Sequence, residues 1–124
     1  MGVGGLLDNM KKNSDFFGTW DIYEMEAWDE DYFNEEVQAY IKIDKNKTGE
    51  FHFGYVQATI DGSIIKRGNE KLFEFTFDGN DEMDPCQGRG WIKSKEGNSE
   101  IIEGEFFFHM GDRSKFSARR VNEK

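Results

Sequence analysis

Hydrophobic and polar residues alternate along most of the chain between residues 18 and 121. This alternation predicts β-strands, because successive side chains of a strand point to opposite faces of a sheet. The alternating segments end at glycines that stand beside Asn or Asp, which are typical of tight turns. The predicted strands cover residues 18–28, 38–44, 50–60, 63–67, 71–77, 88–94, 101–110 and 115–121.

The short connections between these segments predict an antiparallel up-and-down arrangement. Among them are predicted turns at residues 61–62, 68–69 and 111–112, and a longer acidic loop over residues 78–87. A meander of roughly eight strands removes its exposed edges by pairing the first strand with the last. We therefore expect an all-β fold, a closed antiparallel barrel formed by residues 16–124 as a single domain. Residues 1–15 are predicted to be a flexible or partly helical leader.

Composition and charge narrow the classes of partner. The chain has 16 Lys and Arg against 25 Asp and Glu, a net charge of −9, which argues against binding to nucleic acid or to anionic membranes. Cys86 is the single cysteine and cannot form an internal disulfide, which favours a reducing cytoplasm. We recognise no cofactor motif and no metal-ligand spacing, so the sequence predicts neither a cofactor nor a metal site. Whether the carboxylates of the acidic segment at residues 78–85 bind a divalent ion such as Ca²⁺ or Mg²⁺ stays open. The oligomeric state stays open.

The start of the first strand carries a motif. Gly18, Thr19 and Trp20 form a Gly-x-Trp sequence, and Arg120 lies late in the last strand with Arg119 as the alternative. This combination resembles the lipocalin-like, or calycin, β-barrels. The resemblance implies that Gly18 and Trp20 are structural residues and that Arg120 packs over the indole. It also implies a function held in, or at the mouth of, a small barrel.

A second resemblance concerns the acidic segment at residues 78–85 and the sequence Gly88-Arg89-Gly90-Trp91 that follows it. Together with the Gly-x-Trp start, this segment is similar to small uncharacterised bacterial proteins, and the similarity implies no particular activity.

Alternate connections of an up-and-down barrel lie at the same end. The acidic loops are therefore predicted to gather at one end of the barrel and the basic residues at the other. The end opposite Trp20 is predicted to be an acidic mouth, with Arg113 as its main basic residue. Its acidic residues are Asp29, Glu30, Asp31, Glu35, Glu36, Asp61, Asp78, Asp81, Glu82, Asp84 and Asp112. The opposite end is predicted to carry Lys45, Lys47, Lys95, Arg119 and Arg120. A mouth of one sign attracts cations. The alternative is that these are ordinary solvated loops.

The first strand offers a further hypothesis. Strict alternation would turn Glu24 and Glu26 inward with Trp20, where Arg89 and His109 are candidate partners for acid/base chemistry. The alternative is a β-bulge after Ile22, which would turn both carboxylates outward.

The sequence favours a barrel that binds, rather than transforms, a cationic small molecule or a basic partner by means of aromatic faces and carboxylates. Trp28, Tyr32, Phe33 and Trp91 would supply the faces. The predicted ligand-binding residues are Glu24, Glu26, Trp28, Asp81, Glu82, Asp84, Arg89, Trp91 and His109. Two alternatives remain: an enzyme that uses Glu24, Glu26, Arg89 and His109, and a filled barrel that acts as an interaction module.

Overall fold

The computed structural model describes residues 16–121 as eight β-strands and one short helix. The predicted leader at residues 1–15 lies outside the described residues. The strands are β1 (Gly18–Met25), β2 (Tyr40–Ile43), β3 (Thr48–Phe53), β4 (Val56–Arg67), β5 (Glu70–Asp81), β6 (Asp84–Lys95), β7 (Asn98–Phe108) and β8 (Arg113–Arg120). Helix α1 (Glu30–Phe33) lies between β1 and β2, and the Asp29 carboxylate caps it by accepting from the Tyr32 amide.

The strands form a closed antiparallel barrel in which each pairs with its neighbours in sequence. Closure joins β1 to β8, with Trp20 opposite Arg120 and Asp21 opposite Arg119. The predicted all-β, up-and-down barrel is therefore confirmed, and the architecture is consistent with a calycin-like fold. In the described part of the chain, no helix is long and apolar enough to cross a membrane.

Aromatic rings occupy the barrel interior. The Phe106 ring lies at the centre, with centroids 4.6 Å from Phe51, 5.4 Å from Phe53 and 4.5 Å from Phe116. All four side chains are buried. Because this close packing leaves few gaps, the interior is a core built from side chains.

Inward-facing glycines make room for these rings. A Cβ atom on Gly90 would lie 2.6 Å from the Cζ atom of Phe75, and one on Gly88 would lie 2.7 Å from that of Phe77. Both pairs stand directly opposite each other in the ladder between β5 and β6. Glycine on β6 thus allows large rings on β5 without widening the barrel.

Trp20 lies at the closed end of the barrel, as predicted. Its side chain is fully buried, and its Nε1 donates to the carbonyl of Phe16 at 3.0 Å. The Arg120 guanidinium lies 4.2 Å from the indole centroid and donates to the carbonyl of Phe17 at 2.7 Å. Arg119 instead faces outward and stacks on Tyr23. The prediction of Arg120 over Trp20 is confirmed.

Two connections predicted from the sequence, the turn at residues 61–62 and the loop at residues 78–87, are wrong. Residues 50–60 are not one strand, because the chain turns at Gly54 and Tyr55 and then continues as β4 through the predicted turn at Asp61 and Gly62. Residues 78–87 are not a loop, since β5 and β6 continue to a two-residue turn at Glu82 and Met83. As a result Asp61 and Asp78 lie within strands rather than at the mouth.

The alternative of a β-bulge after Ile22 in β1 is confirmed, and the inward orientation of Glu24 and Glu26 is wrong. The register against β8 shifts between Ile22 and Glu24. Met25 is therefore buried, whereas Glu24 and Glu26 are exposed on the outer wall. A bulge adds one residue to one strand, which reverses the faces of all positions beyond it.

Candidate functional site

A groove of about 310 Å³ opens at the barrel mouth, where four of the strand connections gather. Residues from α1, from the β5–β6 hairpin and from the β7–β8 connection line it. The lining residues are Trp28, Tyr32, Val56, Asp81, Asp84, Pro85, Cys86, Gln87, Phe108, His109, Gly111 and Asp112.

Trp28 forms the aromatic floor of this groove. Its ring centroid lies 5.1 Å from Phe53 and 6.3 Å from Phe108, so one side of the indole packs on the top of the barrel core. Tyr32 stacks beside it at 6.0 Å with an interplanar angle of 27°. Trp28 is only partly buried, which leaves aromatic surface available at the mouth.

Gly54 determines where Tyr32 lies. Gly54 has a φ of +57°, and a Cβ atom there would lie 2.5 Å from Cε2 of the Tyr32 ring. Its amide donates to the carbonyl of Phe33 at 2.8 Å, which ties the β3–β4 turn to the end of α1. Glycine is needed both for the positive φ and for the close approach of the ring.

Three carboxylates from two hairpins surround the aromatic pair. Asp81 and Asp84 stand opposite each other at the last pair of the β5–β6 ladder, on either side of the turn at Glu82. Asp112 comes from the β7–β8 connection. The amide of Glu82 donates to the carbonyl of Tyr55 at 3.0 Å, which anchors the hairpin tip beside the β3–β4 turn.

Carboxylates at the mouth contribute to raised pKa values of neighbouring side chains. Burial, followed by the charge of Asp81, raises the pKa of the Tyr32 hydroxyl. Burial, with Asp81 and Asp78, raises the pKa of the Cys86 thiol in the same way. Tyr55 is partly exposed, and the charge of Glu35, followed by burial, raises the pKa of its hydroxyl. Burial is the larger cause for Tyr32 and Cys86, and in all three groups nearby carboxylates add to the rise by disfavouring a further negative charge.

Arg113, predicted to relieve this negative charge, is held on the outer wall. Its guanidinium pairs with the Glu105 carboxylate at 3.2 Å and lies 4.9 Å from the Phe107 centroid. Among the lining residues of the groove, His109 is the only one that can carry a positive charge.

The structure places the predicted ligand-binding residues in three regions. Trp28, Asp81, Asp84 and His109 line the mouth groove, and Glu82 occupies the turn between the two aspartates. A separate groove on the outer wall is lined by Glu24, Glu26 and Trp91.

Arg89 also lies on the outer wall, 4.3 Å from the centroid of Phe107. The proposed constellation of Glu24, Glu26, Arg89 and His109 is therefore not formed. Phe33, predicted to offer an aromatic face, is instead 2% exposed and part of the core.

The sequence reasoning missed several groove residues. Cys86, predicted to lie in the acidic loop, is instead half-buried on β6, and Gln87 on β6 and Phe108 at the end of β7 also line the groove. Residues 78–87 show no alternation of hydrophobic and polar residues, so no local signal predicted that β5 and β6 continue through them; the pairing of the two strands determines it. Within residues 16–121, no group of three or more His, Cys, Asp or Glu side chains is arranged to hold a metal ion.

Comparisons with protein-family models, with curated protein sequences and with solved structures return no match to this chain.

The crowding of carboxylates predicts a salt effect on stability. Added salt screens exposed charges over about 8–10 Å, so moderate NaCl is expected to raise the melting temperature. Glu82→Gln should reduce this rise more than Glu96→Gln, which removes the same charge from the β6–β7 turn at the opposite end. Thermal unfolding followed by circular dichroism at low and moderate salt measures both effects. A melting temperature that salt leaves unchanged would contradict the prediction.

Proposed function

We propose that this protein binds a small organic cation in the groove at the barrel mouth. The observation that carries the proposal is the placement of Asp81, Asp84 and Asp112 around the partly exposed Trp28 and Tyr32 rings. An aromatic face attracts a cation, most strongly where water is partly excluded, and a carboxylate supplies the opposite charge. Both kinds of group line one concave surface here.

The size of the groove limits the ligand. A volume of about 310 Å³ lies at the lower end of the range for small-molecule sites. The barrel interior below it is occupied by Phe53, Phe106 and the rings around them. The proposed ligand is therefore a compact ammonium compound held at the mouth, rather than a long apolar molecule inside the barrel.

The proposal is tested by titration with tetramethylammonium and choline, followed by calorimetry and by tryptophan fluorescence, to which Trp28 contributes from within the groove. We expect Asp81→Asn/Asp84→Asn/Asp112→Asn to weaken binding by at least about tenfold, the factor that corresponds to 1.4 kcal/mol. The matched control is Asp44→Asn/Asp61→Asn/Glu96→Gln, which changes the net charge equally with exposed residues away from the groove. It should bind almost as tightly as the wild type.

Two further ligands separate charge from shape. tert-Butanol is compact and neutral, and a short fatty acid carries the opposite charge. The proposal predicts weaker binding of both than of the ammonium compounds. Tighter binding of the fatty acid, or equal cation affinity in the mouth triple variant, would rule out this function.

A second candidate function is a filled barrel that serves as an interaction module. The aromatic rings packed around Phe106 favour it, because a packed interior stabilises a rigid outer surface. We also infer, from the Gly18, Trp20 and Arg120 arrangement, a relationship to the lipocalin-like barrels. The similarity to small bacterial proteins remains a prediction. The cytoplasmic location, which rests on the single Cys86, also remains a prediction.

A further inference from the structure

The outer wall of the barrel carries charges that change sign from strand to strand. Across four neighbouring strands in the order β1, β8, β7 and β6, the outward charges are negative, positive, negative and positive. The negative residues are Glu24 on β1, Glu26 just after it, and Glu103 and Glu105 on β7. The positive residues are Lys115 on β8 and Arg89 and Lys93 on β6.

A groove of about 560 Å³ runs across these strands. Glu24, Lys115, Glu103 and Lys93 all line it, and Trp91 forms its aromatic part. Trp91 is half-buried on a face that otherwise consists largely of charged side chains. A tryptophan in such a position is typical of the anchors in protein interfaces.

Several of these charges are not satisfied within the chain. In the part of the chain that the structure describes, Glu24, Glu103 and Lys115 form no ion pair. Lys93 is paired with Glu70 at 3.2 Å, and its side chain is 35% exposed. The groove therefore offers charges of both signs to an incoming surface.

We propose that a second copy of this chain docks on this wall, with a twofold axis parallel to the strands between β7 and β8. Rotation about that axis reverses the strand order, so β1 faces β6 of the partner subunit and β8 faces β7 of the partner subunit. Each negative strand therefore faces a positive strand. Glu24 and Lys93 lie at one level of the strand ladders, so Glu24 then meets Lys93 of the partner subunit. Lys115 lies level with Glu105, whose carboxylate is already held by Arg113, and its long side chain reaches diagonally, two residues along the strand, to Glu103 of the partner subunit. Every contact occurs twice because a twofold interface uses the same patch on both subunits.

Because this pattern is complementary to its own reverse, a second copy of the chain is the committed occupant. Opposite charges that align across an interface determine the register and the choice of partner. The mouth groove lies at the end of the barrel, so the dimer leaves it accessible. The inference does not depend on the proposed cation site.

The test uses charge reversal and sedimentation velocity over a range of protein concentrations. The wild type is expected to form dimers in a concentration-dependent manner. Lys115→Glu and Glu103→Lys should each raise the dimer Kd by at least about tenfold, because each places like charges together twice. Lys45→Glu and Asp44→Lys make the same charge changes at exposed positions of the β2–β3 turn, away from the wall, and should leave Kd unchanged.

An equimolar mixture of Lys115→Glu and Glu103→Lys chains gives the sharpest result. In the mixed dimer, glutamate at position 115 meets lysine at position 103, and lysine at position 115 meets glutamate at position 103. Dimers should therefore return in the mixture, and also in the single chain that carries both changes. Near-ultraviolet circular dichroism checks folding, and Glu24→Lys with Lys93→Glu repeats the test if either variant unfolds.

A wild type that stays monomeric up to near-millimolar concentration would overturn the proposal. So would a mixture of folded variants that does not dimerise. Equal weakening by the turn controls would also overturn it, because net charge would then explain the effect.

Discussion

Trp20→Ala is expected to lower the free energy of unfolding by about 3–5 kcal/mol, the range for truncating a large buried aromatic side chain. The substitution removes a fully buried indole and leaves the carbonyl of Phe16 without its donor. It also removes the ring over which Arg120 lies, a contact that contributes about 1 kcal/mol when partly shielded from water. Because typical domains are stable by about 5–15 kcal/mol, this loss is a large fraction of the total.

Chemical denaturation of matched variants measures this effect. Trp91→Ala, at low protein concentration, is the control because it removes the same side chain from the outer wall. Trp91→Ala should lower the free energy of unfolding by well under half of the loss expected for Trp20→Ala. Trp20→Phe keeps an aromatic ring but loses the hydrogen bond from Nε1, so it should fall between wild type and Trp20→Ala. A loss below about 1 kcal/mol for Trp20→Ala would contradict the importance of the closed end.

Phe106→Ala is expected to destabilise the barrel by a similar amount, about 3–5 kcal/mol, because it empties the centre of the core. Phe106 packs against rings from β3, β5 and β8, so no single neighbour can move in to fill the space. The adjacent Phe107 provides the control. It faces outward between Arg89 and Arg113, and Phe107→Ala should cost about 1 kcal/mol or less.

Phe106→Ala also tests whether side chains fill the interior of the wild-type barrel. An apolar cavity of about 150 Å³ stays dry and binds benzene. Benzene should therefore raise the melting temperature of Phe106→Ala, since a ligand that favours the native state stabilises it, and should have little effect on Phe107→Ala or the wild type. Equal stabilisation of all three proteins would show that the wild-type barrel already contains an open cavity, contrary to the observed packing.

Local sequence was sufficient for the architecture. Period-two alternation bounded by turn residues predicted eight strands, and the antiparallel order then required closure between β1 and β8. That closure also placed Trp20 and Arg120 at one level, so their contact followed from the topology and the motif together. Patterns of this kind can be predicted because each depends on neighbouring residues.

Strand boundaries were less predictable because turn chemistry competes with sheet pairing. Asp61 and Gly62 have the composition of a tight turn, yet both continue β4 and pair with Thr76 and Phe75. The actual turn at Gly54 and Tyr55 carries a single glycine within an aromatic segment. Sheet hydrogen bonds and the close packing of the Phe73 ring on Gly62 outweighed the local preference of the Asp-Gly pair for a turn.

The sequence by itself thus determined the fold class, the acidic character of the mouth and the Trp20 contact. Only the tertiary structure decided which carboxylates share a surface. One extra residue at the bulge in β1 turned Glu24 and Glu26 outward, and β-strand pairing brought Asp81 and Asp84 together beside Trp28. The physical reason is that side-chain direction has a period of two, so a shift of one residue, set by long-range pairing, exchanges inside for outside.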